Sequence, residues 1–205
     1  MSPGIVILAA GESARMGAPK QSLPYRGGTL LLHAVESARL LSGAPITVVL
    51  GSHAAPIRAE LADCPVAITE NSDWRSGLGS SLRAGLQALL AAQPATEAVI
   101  FLVCDQPLIS ARHLNALLTE HERTGRPIVA SEYGDTLGVP ALFARALFPA
   151  LLALAGSEGA RQVIQDHRDQ AIGIPFADGA VDIDTPADYA RLVSSRHDVP
   201  TLAPV

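Results

Sequence analysis

The chain has 205 residues, of which 48% are hydrophobic and 4% aromatic, and its formal net charge is −5. This length can bury a substantial core as one domain, and an aliphatic core favours an α/β protein over an aromatic-rich β-sandwich. The negative charge argues against a general nucleic-acid-binding protein. No apolar run approaches the roughly 18 residues of a membrane span. The start of the chain predicts no signal sequence, and the two cysteines have no zinc-ligand spacing, so we expect a cytoplasmic protein. From the charge and the lack of a long apolar run, we expect neither nucleic-acid nor membrane partners.

Hydrophobic periodicity predicts alternating strands and helices. The predicted strands cover residues 5–8, 46–50, 66–69, 99–103, 127–131, 171–174 and 181–183. The predicted helices cover residues 30–41, 53–62, 78–90, 110–123, 142–154, 160–167 and 186–193. This alternation predicts parallel crossover units and a three-layer, Rossmann-like α/β fold with a mostly parallel central sheet. We expect one domain over residues 1–194 and a flexible tail over 195–205.

A glycine-rich loop follows the first predicted strand and carries Gly11, Gly17, Arg15 and Lys20. Glycines let backbone N–H groups approach a ligand closely, and the cations indicate that the ligand is an anion such as a phosphate chain. The loop matches neither the Walker pattern GxxxxGK[ST] nor the dinucleotide fingerprint GxGxxG. ATPase and NAD-binding functions therefore lose their sequence support. A structural turn with solvated cations remains the alternative.

Carboxylates follow two other predicted strands. Asp105 comes directly after the apolar strand at 99–103, and Asp182 and Asp184 lie in the motif Val-Asp-Ile-Asp-Thr-Pro. In parallel sheets, ligands bind at the carboxyl ends of strands, and Mg²⁺ prefers a few carboxylate oxygens together with substrate phosphates. Asp105 is a candidate ligand, with Asp182 or Asp184 as the second. Capping of a turn or helix is the alternative for each of them.

Other side chains favour structural roles. The segment 70–81 enters a helix through glycines, so it predicts either a binding site for an anion or base edge, or a plain helix cap. Trp74 is expected to pack rather than stack on a ligand. Cys104 is expected to be a buried thiol, because the neighbouring Asp105 opposes thiolate formation. The histidines form no metal motif and are expected at the surface or at helix caps.

Six motifs span most of the chain. They are Leu8-Ala9-Ala10-Gly11-x-Ser13-x-Arg15-Met16-Gly17-x-x-Lys20, Glu70-Asn71…Gly77-x-x-Ser80, Cys104-Asp105-Gln106-Pro107, Gly138-Val139-Pro140…Phe143, Gly156…Gly159-Ala160-Arg161 and Asp182-Ile183-Asp184-Thr185-Pro186-x-Asp188-Tyr189. In this order they resemble the MobA-like nucleotidyltransferases, and among them the molybdenum cofactor cytidylyltransferases. The Ala9-Ala10 pair resembles the cytidylyl branch, whereas guanylyl relatives usually carry Ala-Gly-Gly there. Ala14 departs from the family pattern, in which a second arginine is common.

The resemblance implies a Mg²⁺-dependent transfer of CMP from CTP to the terminal phosphate of the molybdopterin cofactor, with release of pyrophosphate. It implies catalytic roles for Lys20, Arg15 and Asp105, and Mg²⁺ held by Asp105 and Asp184. The implied nucleotide-binding residues are Leu8, Ala9, Ala10, Gly11, Arg15, Gly17, Lys20, Ser80, Ser81 and Asp105. The implied acceptor-binding residues are Gln106, Pro107, Gly138, Val139, Pro140, Gly159 and Arg161.

Several alternatives stay open at this point. GTP could replace CTP, or a sugar phosphate could replace molybdopterin as the acceptor. A non-catalytic protein that binds the cofactor and inserts it into a molybdenum hydroxylase is a further possibility. For the transferase itself, a molybdenum hydroxylase or its insertion chaperone is the expected protein partner.

Overall fold

A seven-stranded sheet forms the centre of the structure, a computed structural model that describes residues 3–41 and 43–194. Its strands are β1 (Pro3–Ala9), β4 (Ile46–Leu50), β5 (Ala67–Glu70), β6 (Ala98–Val103), β7 (Ile128–Tyr133), β8 (Thr136–Ala144) and β9 (Ala171–Pro175), and a separate pair is formed by β2 (Pro24–Tyr25) and β3 (Gly28–Thr29). The helices are α1 (Leu30–Arg39), α2 (Ala54–Glu60), α3 (Leu78–Ala92), α4 (Ala111–Thr124), α5 (Phe148–Ala153), α6 (Ala160–Asp166) and α7 (Pro186–Ser194).

The strand order places β1 and β6 side by side near the middle of the sheet. The order is β5-β4-β1-β6-β8-β7-β9; β8 runs antiparallel to its neighbours β6 and β7, and the other paired strands run parallel. The predicted mostly parallel sheet is therefore confirmed. Leu8 is paired with Val103. The loops after β1 and β6 consequently leave the sheet next to each other.

Alternation along β1 divides the core into two layers of side chains. Ile5, Ile7 and Ala9 belong to a cluster that also contains residues of α1, α2 and α4. Val6 and Leu8 face the opposite cluster, to which α3, α5 and α6 contribute. This is the expected consequence of a two-residue side-chain period in a sheet that is covered on both faces. The three-layer prediction is thereby confirmed.

Helix α3 packs tightly against the middle of the sheet. Leu82, Leu86 and Leu89 recur at helical spacing and are fully buried, and each such burial contributes about 1.5–3 kcal/mol relative to an exposed side chain. Gly85 makes the close approach possible, because a Cβ at this position would lie 2.4 Å from Val6 Cγ1. The packing fixes where the first turn of α3 stands relative to β1.

Two predicted elements are wrong. Residues 136–144 form strand β8, a 3₁₀ turn follows, and the helix predicted over 142–154 shrinks to α5. This stretch is apolar enough for either element, and pairing with β6 and β7 decides for the strand. Residues 181–183 form no strand; they follow a 3₁₀ turn (Ala177–Ala180), and the Ile183 N–H donates to the Asp105 carbonyl at 2.9 Å.

Two further expectations concern the chain ends and membranes. The predicted tail at 195–205 lies outside the described residues. Within residues 3–41 and 43–194, no helix is both long and apolar enough to cross a membrane.

Candidate active site

A cavity of about 570 Å³ opens at the carboxyl ends of β1 and β6. Its walls come from the loop after β1, the loop after β6 and the start of α3. The predicted nucleotide-binding residues that line it are Leu8, Ala9, Ala10, Gly11, Lys20, Ser81 and Asp105. Three others, Arg15, Gly17 and Ser80, do not line this cavity. The structure thus brings most of the predicted nucleotide residues to one place.

Side chains of the loop itself hold the loop after β1. Gln21 is buried, and its Nε2 donates to the carbonyls of Ala9 and Gly11, each at 2.9 Å. Ser13 adopts a left-handed conformation with φ of 60°, and its Oγ accepts the Lys20 N–H at 3.0 Å. Because both ends of the loop are fixed through side chains, the position of Lys20 is set before any ligand binds.

Lys20 joins the two predicted metal-binding carboxylates. Its Nζ contacts Asp105 Oδ2 and lies 3.1 Å from Asp184 Oδ1. Arg15 pairs with the other oxygen of Asp184 at 2.8 Å. The Lys20 and Asp105 side chains are 16% and 19% exposed, whereas that of Arg15 is 71% exposed. The first pair is therefore shielded from water, and the Arg15 pair is a surface interaction that salt weakens.

The electrostatic balance keeps Lys20 charged. Burial lowers the pKa of the Lys20 amine, but the nearby Asp105 and Asp184 carboxylates more than offset this, so the pKa lies above its ordinary value. Asp182 is affected by the same group of charges. Burial and the Asp105 charge raise the pKa of the Asp182 carboxyl. Negative charge is thus concentrated around Asp105, and a cation placed there is stabilised.

One observation indicates that Asp105 could bind a divalent metal ion. Asp105 Oδ1 is buried and accepts no hydrogen bond from the described residues. Buried carboxylate oxygens without a partner are costly, and a cation removes that cost. No group of three or more His, Cys, Asp or Glu within the described ranges is placed to hold a metal. A metal at Asp105 and Asp184 would therefore complete its ligands with substrate oxygens.

The first turn of α3 is held by backbone contacts with the loop before α6. Gly77 has φ of +118°, and a Cβ on it would lie 2.2 Å from the Gly156 carbonyl oxygen. The Gly79 N–H donates to that same carbonyl at 2.9 Å. The loop that leads to Gly159 and Arg161 therefore packs against the wall of the cavity.

None of the predicted acceptor-binding residues lines this cavity. Gln106 is buried, and its Nε2 donates to the Gly179 carbonyl at 3.0 Å, while the Pro107 carbonyl accepts from Tyr25 Oη at 2.8 Å. Gly138, Val139 and Pro140 lie in β8, beyond the stretch paired with β6. They are at the end of the sheet where β6 reaches its C-terminus. Gly159 caps α6, and Arg161 is exposed on it.

Two features of the site, and one residue outside it, differ from expectation or were missed. Trp74 packs against the core as expected, but it also lines the cavity, with the Arg75 guanidinium 4.2 Å from its ring centre. The role of Gln21 in holding the loop was missed, because a polar residue beside Lys20 is only a weak indication of such a role. His113 is buried rather than at the surface; its ring stacks on Phe176 at 3.9 Å.

Cys104 lines the cavity as a neutral thiol. It is 3% exposed, and burial raises its pKa to about 12, with Asp105 adding to the effect. The thiolate is the nucleophilic form of cysteine, and it is scarce at neutral pH with such a pKa. The expectation of a buried, unreactive Cys104 is supported, and the site holds no competing nucleophile at this position.

A mostly parallel sheet whose central strands end in a glycine loop with cations and paired carboxylates is typical of an α/β enzyme that binds phosphates. Residues 5–171 match the family described as the MobA-like NTP transferase domain, so the chain belongs to this family and is a nucleotidyltransferase.

Relatives support this membership over nearly the full chain. Nicotine blue oxidoreductase of Paenarthrobacter nicotinovorans is 33% identical over 199 residues, which cover 92% of this chain and 95% of the relative. Purine catabolism protein PucB of Bacillus subtilis (strain 168) is 31% identical over 196 residues, covering 90% and 92%. The solved structure of Rv0371c from Mycobacterium tuberculosis H37Rv in complex with manganese is 27% identical, with a TM-score of 0.77 and coverage of 95% and 100%.

Proposed function

We propose that this chain transfers CMP from CTP to the terminal phosphate of the molybdopterin cofactor and releases pyrophosphate. The observation that supports the proposal most strongly is the position of Lys20. It lies between Asp105 and Asp184, at the end of the glycine-rich loop that lines the cavity. This arrangement suits a reaction in which polyanions meet and negative charge moves onto a leaving group.

In the proposed reaction, a terminal phosphate oxygen of the acceptor attacks the α-phosphorus of CTP. The new O–P bond forms as the bond to the β-phosphate oxygen breaks, and pyrophosphate carries the electron pair away. Because the attacking oxygen is already an anion, no protein base is needed. The chain's task is to hold two polyanions in line and to neutralise charge.

Lys20 and Arg15 would supply positive charge to the phosphates, and the Gly11–Gly17 amides would cradle them. Asp105 and Asp184 would hold Mg²⁺, which supplies Lewis-acid stabilisation to phosphate oxygens when bound. The manganese complex of a solved relative supports a divalent metal in this family. Asp182 is the alternative second ligand, and Asp184 is favoured because it shares the Lys20 cation with Asp105.

The substrate choices rest on fewer observations. Ala9, Ala10 and Ser81 line the cavity where a base would lie, and the Ala9-Ala10 pair supports cytosine. The segment Gly138-Val139-Pro140, Gly159 at the N-cap of α6, and Arg161 on α6 would form the acceptor side. The product would pass to a molybdenum hydroxylase or its insertion chaperone.

A second candidate comes from the name of a relative, nicotine blue oxidoreductase, which is 33% identical to this chain. The absence of a dinucleotide fingerprint from this sequence favours nucleotidyl transfer over hydride transfer. Nucleotidyl transfer to a sugar phosphate, and cofactor binding without turnover, remain as outcomes of the test.

The test is pyrophosphate release by the full chain with Mg²⁺, each of CTP, GTP, UTP and ATP, and either molybdopterin cofactor or a sugar phosphate as acceptor. A parallel assay follows NAD(P)H oxidation with a dye as the electron acceptor. We expect release with CTP that requires both the cofactor and the metal. Release with GTP, or with a sugar phosphate as acceptor, would overturn the substrate assignment. Cofactor binding without any release would overturn the enzymatic proposal, and oxidation of NAD(P)H without release would favour the oxidoreductase.

A further inference from the structure

Two neighbouring serines at the start of α3 share one buried partner. Asn71 is 6% exposed, and its Nδ2 lies 2.8 Å from Ser80 Oγ and 3.0 Å from Ser81 Oγ. Its Oδ1 accepts the Asp73 N–H at 3.0 Å, which fixes the orientation of the amide. Each amide hydrogen of Asn71 therefore goes to one serine, and both serine oxygens act as acceptors.

The two hydroxyl hydrogens have different destinations. Ser80 Oγ lies 2.7 Å from the Gly77 carbonyl and 3.0 Å from the Asp73 carbonyl, so its single hydrogen is used within the loop. Ser81 lines the cavity, and its hydroxyl donates to no group among residues 3–41 and 43–194. With its acceptor side held by Asn71, the Ser81 hydroxyl is left to donate into the cavity.

A competing arrangement of the Ser81 hydroxyl is not seen among the described residues. A serine inside a helix readily donates to the carbonyl four residues earlier, which for Ser81 is that of Gly77. In that orientation the hydroxyl would no longer donate into the cavity. The network instead assigns the Gly77 carbonyl to Ser80.

We propose that Asn71 is a positioning residue that makes the Ser81 hydroxyl a fixed hydrogen-bond donor to an acceptor atom on the nucleotide base. This inference rests on the proposed function in that a nucleotide occupies the cavity. The inference adds the direction of the hydrogen bond between Ser81 and the base. A base edge that presents an acceptor is favoured, and one that presents a donor is rejected. The inference also adds a residue that touches no substrate.

The test compares Asn71→Ala, Ser81→Ala, Ser81→Cys and the double variant Asn71→Ala/Ser81→Ala. We expect each single variant to raise the KM and the dissociation constant of the preferred nucleotide about tenfold, with kcat at saturation within about twofold. The double variant should be no weaker than either alanine variant, because both changes remove one donor. Ser81→Cys keeps the shape of the side chain but donates weakly, so it should resemble Ser81→Ala.

Ser37→Ala is the matched control, because Ser37 is also buried and donates one hydrogen bond, to the Ile109 carbonyl at 3.2 Å, outside the cavity. It should change nucleotide affinity by less than about twofold while lowering the melting temperature. Full affinity in Ser81→Cys, or losses that add in the double variant, would overturn the inference. Circular dichroism and melting of each variant separate misfolding from lost binding.

Nucleotide binding by the wild-type protein in the same assay tests the proposed function separately from the inference. If the wild type prefers a nucleotide other than CTP, the substrate assignment fails, yet the Asn71–Ser81 comparison still holds for the nucleotide that binds. If CTP is preferred and Ser81→Ala binds it unchanged, the inference fails and the proposed function stands. A wild type that binds no nucleotide overturns both.

Discussion

The proposed nucleotide side and the proposed acceptor side of this molecule are built in different ways. The nucleotide side uses adjacent loops after the parallel strands β1 and β6, and its cavity contains Lys20, Asp105 and Ser81 in fixed positions. The proposed acceptor side depends on the antiparallel strand β8 and on the start of α6, and none of its predicted residues lines that cavity. The comparison suggests a preformed nucleotide site and an acceptor site that substrate completes.

The largest expected effect on this comparison comes from removing Asp105, the proposed metal-binding carboxylate. Asp105→Asn keeps the shape of the side chain but removes its charge, leaving Lys20 with Asp184 alone. We expect pyrophosphate release to fall by roughly a thousandfold, because metal stabilisation of phosphate charge is worth several kcal/mol. Steady-state release across a Mg²⁺ titration measures the effect. Asp63→Asn, on an exposed loop, is the control and should retain full activity.

Lys20 gives the next largest effect on the nucleotide side. It is the single lysine of the chain, and Lys20→Met removes its charge at similar length. We expect a loss of about 3 kcal/mol, or roughly a hundredfold in kcat, by analogy with the loss of an oxyanion donor. Lys20→Arg should recover part of the rate. An unchanged kcat in Lys20→Met would mean that the partly buried ion pair serves folding alone, and a lower melting temperature of this variant would then show its contribution to stability.

A variant on the acceptor side should behave differently. Arg161→Gln, on the exposed face of α6, should raise the KM for the acceptor about tenfold and leave the KM for the nucleotide unchanged. The two KM values, measured separately, sharpen the contrast between the sides. Arg123→Gln, which breaks a surface pair with Glu120, is the control. An Arg161→Gln variant with altered nucleotide KM would contradict the separation of the two sites.

The smallest expected effect concerns stability rather than activity. Burial lowers the pKa of His113 to about 4, and its Nε2 lies 2.7 Å from Ser131 Oγ, which donates to the Pro140 carbonyl at 2.6 Å. Because the folded-state pKa is depressed, the stabilisation is present above pH 6.5 and is lost as pH falls towards 4. Chemical unfolding between pH 7 and pH 4 should show a decline that His113→Gln flattens. Equal slopes in both proteins would refute the assignment.

The same division explains what could be predicted from the sequence. The loop after β1 and Asp105 are local features, since an apolar strand followed by glycines, cations or a carboxylate indicates a strand-end site. The strand β8 was missed because its apolar run suits a helix equally well, and non-local pairing settles the choice. The position of Asp184 could not be derived from strand periodicity, because residues 181–183 form no strand and are held by a contact with Asp105.

Buried polar partners were the hardest to predict. Asn71 stands near Ser80 and Ser81 in the sequence, but its hydrogen bonds depend on how β5 and α3 meet. His113 was expected at the surface or at a helix cap because the histidines form no metal motif, and its stacking on Phe176 involves a distant segment of the chain. Such contacts depend on tertiary packing, which no local pattern encodes.

Mass spectrometry of the reaction product tests the central claim most directly. Wild-type protein with CTP, Mg²⁺ and molybdopterin cofactor should yield the cofactor extended by one CMP, with one pyrophosphate released for each product formed, and Asp105→Asn should yield none. A cofactor of unchanged mass, with CTP intact or hydrolysed without transfer, would contradict the account.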